Sequence, residues 1–102
     1  MSEIIKEEGH IIVKPGKDVV ALMANDFRAE LYSLIKESSC DLTIDLTGVE
    51  MVDSIGIGVM IAVHNSLNNK GKKLKVINIT EEIEVLFNTM TLGRHFTFEK
   101  AG

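Results

Sequence analysis

Cysteine is almost missing from this sequence. Cys40 is the single one in 102 residues, so no internal disulfide can form, and a reducing compartment is the setting that fits. Positive charge is also scarce: 11 Lys and Arg against 15 Asp and Glu leave a net charge of -4. That balance provides no basic face of the kind nucleic acid requires. The one basic cluster, Lys70-Gly71-Lys72-Lys73 with Lys75, reads as a solvated turn. No run approaches the roughly 20 apolar residues that cross a bilayer, so no membrane insertion is expected. Met1-Ser2-Glu3-Ile4 is not a basic region followed by an apolar one, so no signal peptide is read and a soluble, cytoplasmic protein is expected. Proline occurs once, and no repeat, linker or low-complexity stretch interrupts the chain.

What is present is the composition of a folded globule. Apolar residues make up 45% of the chain and charged residues 25%, enough for a single domain over residues 1–102 with a real core. Ile4-Ile5 and His10 to Val13 are β-prone runs separated by Glu7-Glu8-Gly9, which suits a hairpin. Pro15-Gly16-Lys17-Asp18 breaks the second strand. From Val20 to Glu37, Met23, Phe27, Leu31, Leu34 and Ile35 recur on one helical face. Leu42, Ile44 and Leu46 alternate with Thr43 and Asp45, a strand with one covered and one wetter face. Leu74 to Ile79 is a further strand. Thr80 is placed to cap a third helix with Ile83, Leu86, Phe87 and Met90 buried, ended by Gly93 as a C-terminal cap, before a last strand from His95 to Phe98. Strands joined by helices imply parallel pairing, with the helices mainly on one face of the sheet.

Between the strand at Leu42 and a helix read as starting at Ile57 lies Val49-Glu50-Met51-Val52-Asp53-Ser54-Ile55-Gly56-Ile57-Gly58. Asp and Ser are favoured at a helix start because their side-chain oxygens accept its free N–H groups. Each glycine costs roughly 1 kcal/mol relative to alanine in an exposed helix interior, a cost best understood if another backbone or a partner approaches closely. The helix carries two apolar stripes. Ile57, Met60, Ile61 and Leu67 are assigned to the core; Ile55, Val59, Ala62 and Ser66 form the other, so Ile55 and Val59 are expected to lie exposed beside Ser54 as a protein contact.

Catalysis finds no support. His10, His64 and His95 have no metal-ligand spacing, so no metal is expected. His64 would stand roughly 15 Å from Ser54 along one helix and cannot act as its base. Ser54 is not in a GxSxG turn, and Ile61 breaks the dinucleotide fingerprint begun by Gly56-Ile57-Gly58. No catalytic residue and no cofactor are expected. A serine with nothing to activate it suits modification better than nucleophilic attack. A phosphate would add about -1.5 to -2 charge at pH 7, tolerable on a wet surface and costly beneath a sealed partner. The alternative is that Ser54 is only an N-cap.

The stretch from Asp45-Leu46-Thr47-Gly48 to Asp53-Ser54-Ile55-Gly56-Ile57-Gly58 resembles the signature of STAS domains, the anti-sigma factor antagonists of bacteria. The likeness extends over nearly the whole chain, including the hairpin start, the Lys70-Gly71 turn and Thr91-Leu92-Gly93. It implies an α/β STAS (SpoIIAA-like) fold: a mixed, mostly parallel sheet of about five strands with helices mainly on one face. It implies a regulatory binding protein without catalysis of its own; a monomer is the expectation, which the sequence itself does not fix. The unphosphorylated form would bind an anti-sigma factor that is also a serine kinase. The kinase would modify Ser54, and a PP2C-type phosphatase would restore it. Asp53, Ser54, Ile55, Gly56, Gly58, Val59 and Asp18 would then contact the partner. Ile55 stands where many members carry a small residue, and Gly16-Lys17-Asp18 is one residue shorter than the family's Gly-x-x-Asp loop. A STAS subunit of a transporter or sensory complex, and a module sensing a nucleotide or small ligand, are the alternatives.

Overall fold

The computed structural model describes residues 2–37 and 40–102. The chain runs β1 (Glu3–Glu7), β2 (His10–Lys14), α1 (Ala21–Glu37), β3 (Asp41–Asp45), α2 (Ser54–Asn68), β4 (Leu74–Ile79), α3 (Glu81–Thr89), a 3₁₀ turn (Leu92–Arg94) and β5 (Thr97–Lys100). The strands form one sheet in the order β1-β2-β3-β4-β5. β1 pairs antiparallel with β2 through the tight Glu8-Gly9 turn, where Gly9 takes the left-handed φ of +73°. The other pairs are parallel.

Register explains the core. Ile11, Leu42 and Leu74 lie side by side, and so do Val13, Ile44 and Val76. All six are buried, on the face that the helices cover. α1 buries Met23, Ala24, Phe27, Leu31, Leu34 and Ile35, the face its apolar spacing predicts. On the opposite face Ile12, Thr43 and Lys75 share a row. Thr43 and Asp45 are nonetheless buried, because β3 is the central strand, flanked on both sides by β2 and β4. Asp45 Oδ1 accepts from the Thr47 amide, the Thr47 hydroxyl and Asn78 Nδ2.

Four expectations need correction. α2 begins at Ser54, not Ile57, since Asp53 supplies the cap. Met90 is 42% exposed and Leu86 half-buried, so α3 buries only Ile83 and Phe87. That helix is ended by Met90 and by Thr91 in the left-handed region (φ 59°), with Gly93 inside the following 3₁₀ turn. β5 starts two residues later than expected, at Thr97, because Phe96 is drawn under the sheet edge to meet Phe87 and Phe98 at 6.0 and 6.4 Å between ring centroids. The Lys70-Gly71 turn does end α2, with Gly71 at φ +71°. Lys70 is not merely solvated there: its ammonium donates to the Ile35 carbonyl at 3.0 Å, satisfying the last turn of α1.

Candidate functional site

Two loops meet at the C-terminal end of the parallel strands: the β2–α1 loop carrying Asp18 and Val19, and the β3–α2 loop carrying Glu50 to Asp53. Backbone groups that a loop leaves unpaired need partners, and here each loop borrows from the other. Val19 N–H donates to the Met51 carbonyl at 3.0 Å, and Asp53 N–H to the Val19 carbonyl at 3.2 Å. Val19 and Val52 thereby form a parallel bridge. Carboxylates complete the exchange in both directions. Asp18 Oδ1 accepts from Glu50 N–H at 3.0 Å and Met51 N–H at 3.1 Å. Asp53 Oδ1 accepts from Gly56 N–H at 2.8 Å, and its Oδ2 from Ala21 N–H at 2.9 Å. One side chain therefore caps α2 and holds the start of α1.

Those donors set the electrostatics. The Gly56 amide, and after it the Ala21 amide, stabilise the ionised Asp53 carboxylate and hold it below its ordinary range. Because Asp53 takes the cap, Ser54 is released from that role. It is the first residue of α2 and exposed. This overturns the reading of Ser54 as an N-cap. Gly58 lies four residues further, on the same side of the helix, and is exposed with open space where a side chain would stand. Ile55 is 53% exposed.

Val59 and Gly56, expected at the partner surface, are buried in the free chain. Val59 is 7% exposed: α1 lies alongside α2, so a second strip of α2 is covered besides the one on the sheet. Gly56 is buried, and a Cβ on it would fall 2.1 Å from the Val19 carbonyl oxygen. The close approach that excludes a side chain there is made by this chain's own loop. Asp18 is half-buried and its carboxylate is spent on Glu50 and Met51. The structure thus leaves Ser54, Ile55 and Gly58 exposed at one helix end, holds the half-buried Asp53 and Asp18 beside them as support, and buries Gly56 and Val59.

Sequence reasoning passed over Leu22 and Met51, which are 97% and 58% exposed. Leu22 was legible as a leucine one position off the buried stripe begun by Met23; Met51 carried no periodic signal. It also passed over a pairing of histidines. His64 and His95 stack edge-on at 5.9 Å, and His64 Nδ1 is buried without a hydrogen-bond partner. Burial, and then the neighbouring His95, push the His64 pKa down. His10 is elsewhere, 2.6 Å from the Thr43 hydroxyl on the open sheet face. Among the described residues no group of three His, Cys, Asp or Glu is placed to hold a metal ion.

Comparison with known proteins agrees with this architecture. The sequence matches the family described as STAS domain over residues 2–101. It is 26% identical over 86 residues to an anti-sigma-B factor antagonist of Staphylococcus epidermidis, spanning 84% of this chain and 80% of that protein. The fold superposes with a TM-score of 0.89 on a candidate anti-sigma factor antagonist from Thermotoga maritima, at 20% identity, over 97% of this chain and 86% of the other. It superposes with a TM-score of 0.75 on the phosphorylated form of the Bacillus cell fate determinant SpoIIAA, at 12% identity, over 96% and 90% of the two chains.

Proposed function

This chain belongs to the STAS domain family, and on that premise we propose that it is an anti-sigma factor antagonist whose binding is switched at Ser54. The observation that carries the proposal is local: Ser54 is exposed in the first turn of α2 while Asp53, not Ser54, caps the helix. Its hydroxyl can therefore be modified without dismantling the fold. The name of the Staphylococcus relative supports the partner class, and SpoIIAA is known in a phosphorylated form.

In this reading the unphosphorylated chain docks an anti-sigma factor over Ser54, Ile55 and Gly58, with Asp53 holding the helix end in place. The anti-sigma factor is a serine kinase and phosphorylates Ser54; a PP2C-type phosphatase reverses the step. The phosphate disrupts docking for two reasons. It lies beside the Asp53 carboxylate, and a partner that excludes water raises their repulsion from under about 1 kcal/mol in water at about 5 Å to roughly 3 kcal/mol at an effective dielectric near 20. A sealing partner also strips water from the dianion. The positive end of α2 repays only about 0.3–2 kcal/mol. The balance disfavours binding and leaves the exposed, unbound form intact.

Intact-mass measurement after incubation with the cognate kinase should give one phosphate, absent in Ser54→Ala. Ser54→Ala should bind the anti-sigma factor as the native chain does, and Ser54→Asp should bind about a hundredfold more weakly. Equal binding by the two variants would defeat the switch.

A further inference from the structure

The apolar surface beside Ser54 is wider than α2 alone provides. Leu22 is 97% exposed and stands outside the buried face of its helix. Packing gives no reason for a leucine there, yet its backbone is firmly placed. The preceding residue, Ala21, donates its N–H to Asp53 Oδ2 at 2.9 Å, and the other oxygen of that carboxylate caps α2. Asp53 thus fixes Leu22 relative to Ser54. Met51, 58% exposed, is held on both sides of its Cα: its N–H donates to Asp18 and its carbonyl accepts from Val19 N–H.

Single exposed hydrophobics are ordinary. Leu22, Met51 and Ile55 differ in standing on the first turn of α1, the β3–α2 loop and the first turn of α2, which hydrogen bonds tie into one frame. Side chains presented on a preordered backbone lose less freedom on binding. The neighbouring chain is acidic: the exposed Glu50 adjoins Met51 and the exposed Asp26 stands one turn along α1 from Leu22, while Lys17 is the one basic residue of the β2–α1 loop after Pro15.

We propose that Leu22 and Met51 extend the Ser54 surface into a docking face built from the start of α1, the β3–α2 loop and the start of α2. Its occupant is a protein with an apolar socket for Leu22, rimmed by Arg or Lys opposite Asp26 and Glu50. Leu22 is then the residue that decides which anti-sigma factor is accepted. The proposal rests on the switch reading, since the partner is the one that Ser54 controls. The basic groups belong at the rim; over Ser54 itself the contact is close and dry.

The test is calorimetric titration of the native chain, Leu22→Ser, Leu22→Met, Glu50→Lys and Ser54→Asp against each purified anti-sigma factor of the source genome. Leu22→Ser should weaken binding by roughly ten- to a hundredfold, and Leu22→Met should bind within about threefold of native. Glu50→Lys and added salt should both weaken it. Thermal melting of every variant should match the native chain. If Leu22→Ser binds like the native chain while Ser54→Asp does not, the extended face is refuted and the switch survives. If both bind natively, or if no anti-sigma factor binds the native chain, both readings fail. Sedimentation showing a native dimer that Leu22→Ser dissolves would make a second copy the occupant and overturn the proposal.

Discussion

The two ends of α2 are stabilised in opposite ways. At its N-terminus, Asp18, Asp53, Val19 and Met51 satisfy one another's backbones across two loops, and large apolar side chains are left in water. Toward its C-terminus, His64 meets His95 and Phe96 at 5.9 and 6.4 Å, beside the Phe87, Phe96 and Phe98 cluster. There the apolar groups are consumed by packing and a polar atom, His64 Nδ1, goes unpaired. A hydrogen-bonded frame fixes position without using side-chain surface, so the surface remains available for a partner. An aromatic corner uses its surface to hold the end of the chain.

The comparison is most sharply tested within α2 itself. Gly56→Ala would push a Cβ to 2.1 Å from the Val19 carbonyl oxygen, forcing α2 and the β2–α1 loop apart. Overpacking of that kind costs about 3 kcal/mol or more, and thermal melting should fall by at least about 12 °C. Gly58→Ala meets open space and should raise stability by up to about 1 kcal/mol. If the two substitutions behaved alike, α2 and the β2–α1 loop would not be in contact as described.

The carboxylates separate next. Both hydrogen bonds to Asp18 reach one oxygen, Oδ1, which an amide oxygen can replace. Asp18→Asn should therefore be close to native, and Asp18→Ala should lose about 1–2 kcal/mol in denaturant unfolding. Asp53 uses both oxygens, so Asp53→Asn must turn an NH₂ toward one of two N–H donors. It should lower the melting temperature where Asp18→Asn does not. Because the folded Asp53 carboxyl lies below its ordinary value of 3.8, its contribution is complete above that value and lost as pH falls through the lowered one.

Much of this was legible in advance, and the failures share a cause. Local periodicity found α1's buried face, and β4 at Leu74 to Ile79 and the Thr80 cap were readable from their own residues. The motif placed Asp53 and Ser54 at a helix start. What failed depended on a second element. Val59 looks exposed until α1 lies alongside α2. Gly56 looks reserved for a visitor until Val19 arrives from another loop. Asp53 looks like an ordinary cap until its second oxygen reaches Ala21, and Leu22 has meaning only through that bond. Gly and Pro mark chain reversals well, but Thr91 took the left-handed position that Gly93 was expected to fill. No spacing rule joins His64 to His95 across more than a helix and a strand.

The smallest expected effect lies at that histidine pair, and it bears on the aromatic corner alone. The folded chain resists protonating His64, because the ring is half-buried and a second cation at His95 would be close. The unfolded chain has no such reluctance and takes its proton near the ordinary value of 6.5. The unfolded state therefore binds more protons as pH drops, and stability must fall with it. The contribution is complete above that value and is lost as pH falls from it through the lowered folded value. His64→Phe removes both the titration and the unpaired Nδ1, so denaturant unfolding should become flatter across that window, with a gain on the order of 1 kcal/mol. Ser54-dependent binding, measured at neutral pH, should be unchanged, since the two ends of α2 are held by separate sets of contacts. If His64→Phe altered that binding without changing the pH profile, the division between frame and packed corner would be wrong, and α2 would be acting as one coupled unit.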